Sequence, residues 1–130
     1  MKYFRLKYGL FVIRVLIIKI KYWRNTSFKS IKVGFEKDTQ LIISGKNSSI
    51  NFGCMNYFYR FGNLEVLDGG LISFGSYVSI NKGFSIVCRN NISFGDNVII
   101  GPNVMIYDHD HNFEVSSVPF RLQKFSSKPI

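Results

Sequence analysis

Large apolar residues recur every six positions through the middle of the chain, with one break after residue 86. Two interleaved rows follow this spacing, and all twelve of their members are bulky and apolar. The rows are Ile72, Val78, Phe84, Ile92, Val98, Val104 and Phe74, Ile80, Ile86, Phe94, Ile100, Ile106. A period of six is neither the repeat of a helix nor the alternation of an ordinary strand. It is typical of a hexapeptide β-helix, in which short strands and corners wind into a triangular coil.

Small or turn-prone residues occupy the intervals between the rows, where a β-helix has its corners. They are Gly75-Ser76, Asn81-Lys82-Gly83, Gly95-Asp96-Asn97 and Gly101-Pro102-Asn103. Such residues tolerate the backbone angles of tight corners. Three sides give a coil of about eighteen residues, but Phe74 and Phe94 lie twenty apart, so we expect a bulged corner at residues 88–91. A β-sandwich is the alternative fold. Its turns recur about every eight to twelve residues, which is longer than the six-residue period of this chain.

The pattern divides the chain into three segments. Residues 1–25 form a helical arm, residues 26–111 form the β-helix coils, and residues 112–130 form an extruded loop that leads to the start of a further coil. The six-residue rhythm is irregular up to residue 63 and regular after the Asp68-Gly69-Gly70 turn. We therefore predict an all-β parallel β-helix with one N-terminal helix.

The net charge of +9 belongs to the arm. Residues 1–35 carry nine Lys or Arg and no acidic residue, whereas residues 36–130 carry eight residues of each sign. No basic patch continues into the balanced remainder, so we do not expect a nucleic-acid partner. Cys54 and Cys88 form no cysteine framework, which favours a reducing, cytoplasmic location.

The arm predicts a basic amphipathic helix. Lys7, Arg14 and Lys21 are seven apart and share one helical face. The uninterrupted apolar runs are shorter than the ~20 residues that a spanning helix needs, and no small-residue cleavage site follows them. Two roles stay open: contact with the anionic inner face of the plasma membrane, or cover for the open end of the first coil.

One segment resembles the hexapeptide-repeat O-acetyltransferases, especially maltose, galactoside, capsule and lipopolysaccharide sugar acetyltransferases. It reads Phe94-Gly95-Asp96-Asn97-Val98-Ile99-Ile100-Gly101-Pro102-Asn103-Val104-Met105-Ile106, then Tyr107-Asp108-His109-Asp110-His111. The resemblance implies a left-handed β-helix, a homotrimer, and acetyl transfer from acetyl-CoA to a sugar hydroxyl in surface polysaccharide biosynthesis. Relatives re-enter the β-helix after the loop, so the resemblance also implies that C-terminal coils are missing here.

The same resemblance suggests site residues. The family spacing after Asn103-Val104 places the catalytic histidine at His111, and Asn81 matches a residue near the acceptor hydroxyl. Arg89 stands near the position of the family's sugar-binding acid, so its contact with the acceptor differs. Asp108 and His109 are further candidate acceptor contacts, and residues that bind acetyl-CoA are not predicted.

The residues themselves permit this chemistry. A sugar hydroxyl needs a base that takes its proton during attack, and imidazole, with a pKa of about 6.5 in model peptides, suits that role. Asp108 or Asp110 is placed to orient an imidazole. His111 and His109 have an alternative role as loop residues, and Asn81 as a corner residue with positive φ. Asp and His are also metal ligands, but the chain has no third His, so no metal is expected.

The competing function belongs to a different class. A truncated, catalytically inactive β-helix would serve in assembly or binding. Acetyl transfer by the purified protein distinguishes the two functions.

Overall fold

A computed structural model describes residues 2–130, with side chains from Tyr8 onward. Helix α1 spans Lys2–Lys21 and precedes every strand. The strands are β1 Thr26–Phe28, β2 Gly34–Phe35, β3 Gln40–Ile43, β4 Ser49–Phe52, β5 Tyr57–Phe58, β6 Asn63–Val66, β7 Leu71–Phe74, β8 Ser79–Ile80, β9 Ser85–Cys88, β10 Asn91–Phe94, β11 Ile99–Ile100, β12 Met105–Tyr107, β13 His109–His111 and β14 Phe125–Ser127. A short 3-10 helix, Phe120–Leu122, lies between the last two strands.

The first twelve strands form a parallel β-solenoid of about four coils. Successive strands go in turn to three different sheets, with strand orders β1-β4-β7-β10, β2-β5-β8-β11 and β3-β6-β9-β12. Neighbouring strands in each sheet are parallel. The predicted fold class, an all-β parallel β-helix with one N-terminal helix, is confirmed, and the arrangement is consistent with the left-handed form.

The coils are longer than predicted. Strand register pairs Ile72 with Ile50 and with Ile92, which gives coil lengths of 22 and 20 residues rather than about eighteen. The corner at residues 89–90 is not a bulge on a regular coil. It is the shortest of three corners at the same edge, since the earlier two span residues 44–48 and 67–70. Long corners explain the irregular spacing before residue 63.

The twelve row residues line a common interior. Seven of them are buried, and the other five, all in the fourth coil, are partly buried. One interior column is aromatic through all four coils: Phe28, Phe52, Phe74 and Phe94. Successive rings stack with centroids 4.6, 5.6 and 4.9 Å apart and nearly parallel planes. The interior therefore accommodates rings.

Helix α1 covers the first coil. Val15 and Ile18 are buried in the solenoid core. Arg14 also faces the solenoid, because its guanidinium donates hydrogen bonds of 2.6 Å to the backbone oxygens of Glu36 and Thr39. The capping interpretation is thus confirmed for this face. The predicted shared basic face is wrong for Arg14, and the side chain of Lys7 lies outside the described residues, as does Met1.

The chain leaves the solenoid after β12. Strands β13 and β14 pair as an antiparallel hairpin, with His109 opposite Ser127 and His111 opposite Phe125. The chain then returns to the fourth coil, where Ile130 N–H donates to Asn91 O and Ile130 O accepts from Ser93 N–H. The loop at residues 108–127 is therefore mounted on one corner of the last coil.

Candidate active site

An inward-facing carboxylate ends one interior column of the solenoid. The register aligns Val66 with Cys88, and the pairing of Tyr107 with Val87 places the next residue, Asp108, beside Cys88. Val66 and Cys88 are fully buried, and Asp108 is only 4% exposed. A charged side chain thus lies where the coils below have apolar or thiol side chains. Such a carboxylate needs partners, because an unpaired buried charge is strongly destabilising.

Four groups donate hydrogen bonds to Asp108. They are Arg89 N–H at 2.9 Å, Asn90 N–H at 2.7 Å, His109 Nδ1 at 3.1 Å and Cys88 Sγ at 3.2 Å. Burial raises the pKa of Asp108, but the hydrogen bonds from Arg89, Asn90, His109 and Cys88 together outweigh it and hold this pKa below its ordinary value of 3.8. The carboxylate is therefore ionised at neutral pH.

The neighbouring thiol is inert. Burial, followed by the hydrogen bond to Asp108 and its negative charge, raises the pKa of Cys88 to about 12. Leu71 O lies 3.3 Å from Cys88 Sγ and is an alternative acceptor for the single thiol proton. Because the thiolate is the nucleophilic form, a covalent intermediate on Cys88 is not favoured at neutral pH.

His109 is oriented by this carboxylate. An ionised carboxylate accepts hydrogen bonds and donates none, so the proton of this hydrogen bond is carried by His109 Nδ1. The His109 side chain is 12% exposed. Its ring makes edge contacts with Tyr107 at 6.0 Å and Phe125 at 5.6 Å. The expectation that Asp108 orients an imidazole is confirmed for His109.

His111 is held by aromatic rings. Its ring centroid lies 4.1 Å from that of Phe125 and 4.8 Å from that of Phe120. Nδ1 of His111 is buried and has no hydrogen-bond partner in the described part of the chain. Asp110 accepts a hydrogen bond of 2.8 Å from the backbone N–H of His111 and so supports the strand rather than the imidazole.

Arg89 lies beneath the hairpin. Its guanidinium carbon is 4.0 Å from the ring centroid of Phe125, and its Nη1 forms an ion pair with Asp68. Its backbone N–H is one of the donors to Asp108. Arg89 therefore links the second coil, the third coil and the hairpin, and only about a quarter of its side chain is exposed.

Asn81 lies at a different corner of the same chain. It follows β8, whereas Asp108 follows β12, so one wall of the solenoid separates the two positions. Asn81 Oδ1 accepts a hydrogen bond of 2.8 Å from Lys82 N–H. Asn81 is a corner residue, as the alternative role had it, but the expected positive φ is wrong, since the positive φ of this corner falls at Gly83.

A shallow depression of about 330 Å³ opens beside His109. Most of its lining residues are polar or charged, and they come from the two ends of the extruded loop. The lining residues are Tyr107, Asp108, His109, Asp110, Ser126, Ser127, Lys128, Pro129 and Ile130. A second cavity, of about 230 Å³, lies between α1 and the first coils and is bordered by Tyr8, Phe11, Val33 and Tyr57, among others. The depression is the better candidate site because it contains the oriented imidazole and the carboxylate.

Sequence reasoning missed two features of this site. The first is the inward position of Asp108, which was detectable because Cys88 and Asp108 are separated by the same twenty residues as Phe74 and Phe94. The second is the aromatic support of the imidazoles by Phe120 and Phe125. No periodicity marks that support, because it arises when the loop folds back on itself.

Comparisons with known proteins add no identification. No protein-family model matches the chain, and no curated protein or solved structure matches it significantly. The likeness to the hexapeptide-repeat acetyltransferases therefore rests on the motif of residues 94–111 alone.

Proposed function

We propose that this protein is an acetyl-CoA-dependent O-acetyltransferase that modifies a sugar hydroxyl in surface polysaccharide biosynthesis. The observation that carries the proposal is the hairpin β13–β14. It holds two imidazoles, His109 and His111, within three residues of the buried carboxylate Asp108. Together with the hexapeptide motif, this arrangement favours general-base chemistry on a solenoid scaffold.

The proposed reaction is a direct transfer. The base takes the proton of the acceptor hydroxyl while the hydroxyl oxygen attacks the thioester carbonyl and forms the new carbon–oxygen bond. Backbone N–H groups stabilise the resulting oxyanion. Collapse breaks the carbon–sulfur bond, and the imidazolium returns its proton to the departing thiolate of coenzyme A. The inert Cys88 thiol supports a mechanism without a covalent enzyme intermediate.

Two imidazoles compete for the role of base. The family spacing assigns it to His111, whose ring is fixed by Phe120 and Phe125. The hydrogen bond from Nδ1 to Asp108 favours His109 on geometry. The depression is lined by His109 and not by His111, so our assignment of the base to His111 and of an acceptor contact to His109 rests on the family spacing. Arg89, which packs under Phe125, supports the hairpin from below.

The proposal includes a homotrimer. Asn81 and the His-bearing hairpin lie at different corners of one chain, so a neighbouring copy has to bring Asn81 close to the acceptor. The proposed location is the cytoplasm, where acetyl-CoA is available.

The test is acetyl transfer by purified protein to a panel of sugars, followed as acetylated product. General-base catalysis contributes about 10²–10⁴-fold, so His111→Ala should reduce turnover by that order. Glu114→Gln changes an exposed residue of the same loop and should not. If His109→Ala abolishes transfer and His111→Ala does not, the base is His109.

The second candidate is a non-catalytic β-solenoid with a role in assembly or binding. It is favoured by the hydrogen bonds of Asp108, which fasten the 89–90 corner whether or not the chain is an enzyme. This second function is favoured if the protein shows neither acetyl transfer nor thioester hydrolysis and if His109→Ala and His111→Ala behave like the wild type. That result would contradict the acetyltransferase proposal.

A further inference from the structure

The outer face of α1 is apolar although its inner face already packs on the solenoid. Five residues spaced by three, three, one and three positions share this outer face, which is opposite Val15 and Ile18. They are Leu10, Ile13, Leu16, Ile17 and Ile20. Their exposed fractions lie between 47% and 77%. The helix thus has two apolar faces, and only one of them is covered.

Cations border this outer face. Lys21 lies at its edge, and Trp23 and Arg24 continue it beyond the helix, with Trp23 71% exposed. Lys19 faces the solenoid instead, with its Nζ 5.4 Å from the Phe28 ring centroid. The guanidinium of Arg24 stacks over the Trp23 ring at 4.8 Å. Within the helix, Arg14 points inward. Positive charge therefore borders the C-terminal end of the apolar surface without interrupting it.

Charge identifies the partner that suits this surface. A second copy would bring two arms together, and each arm belongs to a 35-residue segment with nine cations and no acid, so like charges would repel. An anionic lipid surface accepts both features, because apolar side chains enter the headgroup boundary while Lys and Arg meet lipid charges. No helix among the described residues is long and apolar enough to span a membrane.

We propose that α1 is a two-sided element that docks the protein on an anionic membrane surface. The helix lies in the plane of the interface, with its outer face toward the acyl chains and its inner face on the first coil. Arg14 contributes to the cap and not to lipid contact. This inference does not depend on the acetyltransferase proposal, and its test does not use activity.

The test uses full-length protein and vesicles of phosphatidylcholine, with and without phosphatidylserine. Trp23 is the only tryptophan of the chain, so its emission reports the arm directly. We expect co-sedimentation and a blue shift of Trp23 emission with phosphatidylserine vesicles only. Binding should weaken as salt shortens the Debye length.

Variants separate the apolar and the charged contributions. Replacing Ile13, Ile17 and Ile20 together by Ser should weaken vesicle binding at least tenfold, by an order-of-magnitude estimate from the apolar area lost. The matched control is Ile99→Ser with Met105→Ser, which removes exposed apolar residues from the solenoid wall and should leave binding unchanged. Replacing Lys21 and Arg24 by Gln should lower affinity about fivefold per cation.

Two results would overturn the inference. One is a wild-type protein that ignores phosphatidylserine vesicles, or that binds them as well after the outer-face substitutions as after the control pair. The other is a wild-type dimer that the same outer-face substitutions dissociate without any vesicle binding, which would make this face a contact between copies. Circular dichroism of each variant checks that the variant has kept its fold.

Discussion

Asp108 departs most from the pattern of apolar inward residues, because it places a charged side chain in the interior of the solenoid. The strand register places its side chain inward beside Cys88, and an inward carboxylate is destabilising unless donors surround it. Two backbone N–H groups, a thiol and an imidazole supply those donors. Hydrogen bonds to an ionised acceptor are stronger than neutral ones, so the carboxylate can fasten the 89–90 corner and orient His109 together.

We predict that Asp108→Asn destabilises the protein at pH 7 by about 1–3 kcal/mol, because the amide leaves at least one buried N–H without an acceptor. Urea unfolding followed by circular dichroism measures the change. Asp110→Asn is the matched control, since Asp110 is exposed and accepts only the His111 N–H, and it should change the unfolding free energy far less. Equal effects of the two substitutions would contradict the structural role of Asp108.

The variants Asp108→Asn and Asp110→Asn also test how the free energy of unfolding depends on pH. The pKa of Asp108 is lower in the folded protein than its ordinary value of 3.8, so the unfolded chain binds this proton more readily. The stability that it contributes is fully present above about pH 4 and is lost as pH falls through the folded pKa. The difference between wild type and Asp108→Asn in unfolding free energy should therefore shrink below that pH, whereas the Asp110→Asn difference should not follow this course.

Corner residues show where local preference is overridden. Asn97 and Asn103 have positive φ, in agreement with the corners read from the sequence. Met55, Phe61 and Tyr77 have positive φ as well, although bulky residues are disfavoured there. Coil stacking imposes the corner whatever residue occupies it, so the sequence marks only some of the corners.

At the scale of elements, the aromatic column distinguishes the middle of the solenoid from its end. Phe74 stacks between Phe52 and Phe94 and is 4% exposed. Phe94 has the same position one coil later but stacks on one side only and is partly buried. Identical residues at equivalent positions thus lose different amounts of contact when truncated.

We predict that Phe74→Ala lowers the free energy of unfolding by about 3–5 kcal/mol, the usual range for a buried Phe. Phe94→Ala should have a clearly smaller effect, because part of its ring already meets solvent. Thermal and urea unfolding of both variants give the comparison. A Phe94→Ala effect as large as that of Phe74→Ala would mean that the last coil is covered in solution, for example by another copy of the chain.

The solenoid could be predicted from the sequence because twelve equivalent positions all carry bulky apolar residues at the same spacing. The predicted coil length was less accurate, because corners of two, four and five residues all occur at one edge of the solenoid. For the site, the sequence identified the loop with both imidazoles and an orienting carboxylate. It did not identify Phe120 and Phe125 as their support, because a hairpin closed by tertiary contacts leaves no period in the chain.

At the scale of the whole molecule, helix α1 anchors the N-terminal arm on the solenoid. Ile18 is 8% exposed and belongs to the core, whereas its neighbour Ile17 is 57% exposed. Tyr22 continues the contact by donating from its hydroxyl to Leu41 O at 3.2 Å. The first coil has no solenoid neighbour on its outer side, so the helix supplies its cover and should unfold together with it.

We therefore predict that Ile18→Ala destabilises the whole protein by about 2–5 kcal/mol, while Ile17→Ala stays within about 0.5 kcal/mol of wild type, as exposed substitutions do. Both variants keep the same helix propensity change, so their difference isolates packing on the solenoid. Far-ultraviolet circular dichroism and Trp23 fluorescence should follow one coincident urea transition in wild type and in both variants. Separate transitions for the two probes, or equal stability of the two variants, would show that α1 unfolds independently and does not cap the first coil.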